Sequence, residues 1–62
     1  MNNEEAIEFE KRRKSLDKDV GNLVDKYLRI VEWGVPDTDE PRARRLIIGE
    51  IREALARLET QI

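Results

Sequence analysis

The sequence predicts an all-α fold: a two-helix antiparallel hairpin that dimerises into a four-helix bundle. Three observations predict it. Apolar residues recur at helical spacing through most of the 62 residues. One break, Gly34-Val35-Pro36, interrupts that periodicity. And two helices of this size present more apolar surface than they can bury against each other. A single helical-hairpin domain over residues 1–62 follows, with helices over about 3–33 and 39–60 and a turn over about 34–38.

The first helix opens on Asn2 or Asn3, either of which can cap it, with Glu4 and Glu5 in the first turn where the helix dipole favours negative charge. Phe9, Leu16, Leu23 and Ile30 recur every seven residues, and Val20 and Tyr27 fall between them at alternating four- and three-residue steps. That is one apolar seam along a helix. It weakens toward the N-terminus, where Arg13 takes the seam position before Leu16. A second stripe, Val24, Leu28 and Val31, joins it from the middle onward. Two adjacent stripes make a wide apolar arc, which needs more than one neighbouring helix to cover it.

The break is strongly marked. Gly34 suits the left-handed position that ends a helix, and Val35 can pack back on the last turn. Pro36 cannot continue the helix and restricts Val35 to extended geometry. Asp37, Thr38 and Asp39 each offer an N-cap for the second helix, and Pro41 sits in its first turn, where a missing N–H costs nothing.

The second helix is expected to carry its seam on Ile48, Ile51, Leu55, Leu58 and Ile62, with Ile47 and Ala54 flanking it. Leu46 lies off this seam and is placed near the turn beside Trp33 or Val35. Glu53 and Arg57 form a favourable i,i+4 pair. The short connection forces the helices antiparallel. Gly21 and Gly49 then fall at similar heights, which points to close helix approach at a crossing, inside the hairpin or across the dimer.

A chain this short rarely gains more than about 3–5 kcal/mol from a core of its own. Self-association in a closed two-fold dimer is the simplest remedy. The expected core and oligomer interface comprises Leu16, Val20, Leu23, Val24, Tyr27, Leu28, Ile30 and Val31 from the first helix. The second helix adds Ile47, Ile48, Ile51, Leu55 and Leu58.

Composition narrows the function. Twelve basic residues face fourteen acidic ones, for a net charge of −2, where a dedicated nucleic-acid binder shows a basic excess. No apolar run approaches the ~20 residues that span a bilayer, so no membrane partner is expected. The polar, acidic start of the chain lacks the pattern of a secretory signal, and cysteine is absent, so the expected compartment is the cytoplasm. Histidine is absent as well. Ser15, Thr38 and Thr60 therefore have no imidazole base, and the glutamates near the N-terminus have no histidine with which to hold a metal. No enzyme, cofactor or metal site is expected.

Two basic clusters are candidate contacts for an anionic partner: Lys11, Arg12, Arg13 and Lys14, and then Arg42, Arg44 and Arg45. Glu8, Glu10, Asp17 and Asp19 bracket the first cluster and offset its field. Cations at the start of a helix oppose the dipole, so the second cluster is expected to pair with carboxylates close by, at Glu32, Asp37, Asp39 or Glu40. The reading that follows is a small non-enzymatic interaction or regulatory module, a homo-oligomeric helical bundle that binds a protein partner. The alternative is a nucleic-acid-associated regulator contacting phosphates through the two basic clusters. In size and hairpin plan the chain resembles the small plasmid-encoded RNA regulators that form four-helix bundles; this is a likeness of architecture, with no shared motif to carry a residue's role.

Overall fold

The computed structural model describes residues 3–61. Its regular structure is two α-helices, α1 (Glu4–Gly34) and α2 (Glu40–Glu59), with no strand among the described residues. The carbonyl of Asn3 accepts from the Ile7 N–H at 3.0 Å and so starts α1. The Asn3 side chain makes no capping bond, which leaves Glu4 and Glu5 to complement the dipole. The other candidate cap, Asn2, lies outside the described residues, as does Ile62.

The end of α1 departs from expectation. Gly34 is the last helical residue, and no described residue, glycine included, has a positive φ. The chain leaves through Val35 in extended geometry (φ −133°, ψ 94°), while the Val35 N–H still donates to the Val31 carbonyl at 2.9 Å. Pro36 accounts for this: it holds the residue before it out of the helical region, so the helix stops without a left-handed turn. Thr38 closes the connection by donating both its N–H, at 3.1 Å, and its hydroxyl to the Val35 carbonyl.

α2 begins on Asp39, in extended geometry, whose side chain accepts from the Arg42 N–H at 3.3 Å and whose carbonyl accepts from Ala43 at 2.9 Å. Pro41 occupies the first turn. At the other end the Thr60 hydroxyl donates to the Arg57 carbonyl at 2.7 Å, satisfying one of the last free acceptors of the helix.

The helices pack as a hairpin through a thin core. Val24, Leu28 and Ala43 are buried, Leu28 most fully at 4% exposure, and Ile47, Ile51 and Ala54 are half-buried. On α1 this is the second stripe. On α2 the expected order is reversed: Ile47 and Ala54, read as flanks, face α1 together with Ala43, while Ile48, Leu55 and Leu58 are exposed. Bulk does not choose the contact face here. The connection over residues 35–39 fixes which side of α2 looks back at α1, setting Ala43 beside Val31 and Val35. Ile47, Ile51 and Ala54 follow along the same stripe at helical spacing. Leu46 lies near Val35 as expected and not near Trp33, which points into solvent.

Neither Gly21 nor Gly49 marks a close approach within the hairpin, because a Cβ built on either would meet nothing within 4 Å. The molecule measures 52 × 25 × 14 Å. Its radius of gyration is 15.5 Å, against about 10.6 Å for a compact domain of this length. α1 spans about 46 Å and α2 about 30 Å at 1.5 Å per residue, so the first ~10 residues of α1 project beyond α2.

Candidate interaction surface

The surface left open is large and ordered. The accessible area is 5947 Å², whereas a compact monomer of 7.3 kDa exposes about 4,200 Å². The excess, about 1,700 Å², is of the size that specific protein interfaces bury in total.

Much of it lies on the first seam of α1. Phe9, Leu16, Val20, Leu23, Tyr27 and Ile30 are all exposed, from 40% at Leu23 to 54% at Ile30. The hairpin uses the neighbouring stripe and leaves this one free. Where the seam meets α2 it opens a groove lined by Leu23, Tyr27, Val31, Ile47 and Ile51, with Glu50 at its edge. Trp33 stands on the far flank of the seam, 92% exposed.

The exposed residues of α2 do not extend the same face. Arg44 reaches across to Asp25 at 3.3 Å on one side of the hairpin. Ile48 and Leu55 follow Arg44 by four and eleven residues, so they share its side. Leu23 and Tyr27 lie on the other side, beside Glu50. The hairpin therefore presents two apolar stripes facing opposite ways, a long one on α1 and a short one on α2.

The basic clusters sit far apart. Lys11, Arg12, Arg13 and Lys14 lie on the projecting end of α1, about 30 Å along the helix from the turn. Arg12 pairs with Glu8 at 3.4 Å and Arg13 with Glu10 at 3.3 Å, all four exposed. In the second cluster Arg44 pairs with Glu40 at 3.5 Å, one of the expected carboxylates, and with Asp25, which the sequence did not suggest. No ion pair of Lys11, Lys14, Arg42 or Arg45 occurs among the described residues. Arg57 pairs not with Glu53 but with Glu50, at 2.8 Å. Exposed pairs of this kind each add at most about 1 kcal/mol.

Among the described residues, no three His, Cys, Asp or Glu side chains gather as metal ligands, and no helix is long and apolar enough to cross a membrane. Comparisons with protein-family models, with curated proteins and with solved structures give no match to this chain.

Proposed function

We propose that this chain is a non-enzymatic interaction module that works as a homo-oligomer and binds a protein partner. One observation carries the reading: a periodic apolar seam running most of the length of α1 stays exposed after the hairpin has formed. A seam with heptad spacing is the pattern by which helices associate, and its exposed side chains favour leaving water at roughly 25 cal/mol per Å². The short stripe of Ile48 and Leu55, facing the opposite way, supports a second and smaller contact with a protein partner.

The nucleic-acid alternative draws less support. The two basic clusters of one chain form no continuous patch, and three of their seven cations are already neutralised by glutamate or aspartate.

The test is the solution mass by light scattering over a dilution series, with helicity followed by circular dichroism. The expected result is a dimer or larger species that loses helicity as it dissociates. A rigid, fully helical monomer at every concentration would overturn the reading. Binding to duplex or single-stranded nucleic acid that weakens steeply with salt would favour the alternative.

A further inference from the structure

We infer that α1 of one chain packs antiparallel against α1 of a second copy, in the single register that sets Asp19 opposite the partner's Lys26. This rests on the homo-oligomer reading above and deepens it.

The seam of α1 alternates between two kinds of position. Leu16, Leu23 and Ile30 form one set, and Arg13, Val20 and Tyr27 the other. In an antiparallel pair of identical helices, each member of one set faces a member of the other. The allowed registers then differ by whole heptads. In one register Leu16 meets the partner's Tyr27 and Val20 meets the partner's Leu23, which fills the centre with large apolar layers. Arg13 falls against the partner's Ile30, where its alkyl stem can lie on the apolar surface with its head in water.

The flanks decide between registers. One flank of the seam carries Val24, which is buried against α2, and Val31, 37% exposed at the groove between the helices. The other carries Arg12, Asp19, Lys26 and Trp33, all exposed. With Leu16 against the partner's Tyr27, this free flank brings Asp19 to the partner's Lys26 and Arg12 to the partner's Trp33, each twice by symmetry. The first is an ion pair, and neither Asp19 nor Lys26 has an ion pair among the described residues. The second stacks a guanidinium on the one tryptophan, whose 92% exposure the hairpin alone leaves without a purpose. A slip of one heptad toward the N-terminus sets Asp19 against the partner's Asp19 and Arg12 against the partner's Lys26. A slip the other way sets Lys26 against the partner's Lys26. Like charges facing each other penalise both slips. Parallel pairing is disfavoured too, because it sets the free flank of one helix against the partner's opposite flank, which packs on α2 through the buried Val24.

The experiment is a charge swap on the full chain, read by sedimentation equilibrium at low salt with circular dichroism as a control for helicity. Asp19→Lys alone and Lys26→Glu alone each raise the dissociation constant about tenfold or more, since each turns two attractive pairs into two repulsive ones. The double variant D19K/K26E returns it to near the parent value. Mixing the two single variants gives a heterodimer tighter than either alone. A parent chain that dimerises while the single variants bind equally well would overturn the register and leave the homo-oligomer reading standing. A parent chain that stays monomeric overturns both.

Discussion

Leu23→Asp separates a seam that a second copy covers from one that stays wet. In the hairpin Leu23 is 40% exposed, at the rim of the groove it shares with Tyr27, Ile47 and Ile51. Full burial of a leucine is worth about 1.5–3 kcal/mol, so the three-fifths already buried contributes about 1–2 kcal/mol within one chain. An aspartate there can turn toward the open side and remain hydrated, so the hairpin loses about that much and no more. In the antiparallel pair the same position is central, facing the partner's Val20, and the nearest cation, Lys26 three residues on, is already engaged by the partner's Asp19. An uncompensated buried charge costs about 3–5 kcal/mol, and the dimer would hold two. Association should weaken by about 10⁴-fold or more, at 1.4 kcal/mol per tenfold. Sedimentation equilibrium gives the mass, and circular dichroism at the same concentrations gives the helicity. A variant whose dissociation constant stays within about tenfold of the parent refutes burial of this seam.

Substitutions at four further positions test the hairpin itself. Leu28→Ala should cost about 3 kcal/mol in urea unfolding, because Leu28 is the most buried side chain of a thin core; a loss below about 1 kcal/mol would mean the core lies elsewhere. Asp39→Ala removes the side-chain N-cap of α2 and should cost about 1 kcal/mol by thermal melting, with Asp39→Asn close to neutral. Gly21→Ala and Gly49→Ala enter open space and should each stabilise by up to about 1 kcal/mol, so weaker association in either variant would show a close helix contact between chains.

The two helices and the break between them were legible in the sequence because they depend on local rules, whereas the left-handed end expected at Gly34 was not realised. The Asp39 cap, Pro41 in the first turn and Pro36 after the break constrain only their near neighbours. Which face of α2 meets α1 was not legible. Periodicity ranks faces by apolar bulk, and Ile48, Leu55 and Leu58 outrank Ala43 and Ala54. The contact is instead set by the geometry of residues 35–39, and a short side chain beside the turn is well suited to it. Ala43 was hidden by its basic neighbours Arg42, Arg44 and Arg45; its four-residue spacing to Ile47 and eleven to Ala54 was the signal. The Arg44–Asp25 pair was equally out of reach, since it needs the relative rotation of the two helices. The wide arc of α1 was readable, including that one neighbour could not cover it, because that conclusion needs only the helical repeat.

The two apolar stripes face opposite ways, and this constrains how a bundle can form. A two-fold pair built on α1 covers that helix's seam in both chains and closes, with no free copy of the same surface left to recruit a third chain. Ile48 and Leu55 remain outside it, on the side marked by Arg44 and Asp25. A bundle that instead buried the α2 stripe between chains would have to leave the longer α1 seam open. That is the poorer exchange by area, since the α1 seam offers six large side chains, whereas on α2 Ile48 and Leu55 are joined only by Leu58 three residues on. Changing both Ile48 and Leu55 to Lys should therefore leave the dimer's mass and helicity unchanged. Both sites are exposed, and substitutions at such sites usually shift stability by under about 0.5 kcal/mol each. The same change should remove any binding to a protein partner that uses the stripe. If it splits the dimer while single chains stay helical, the second copy covers α2 and the α1 seam is the surface left for another protein.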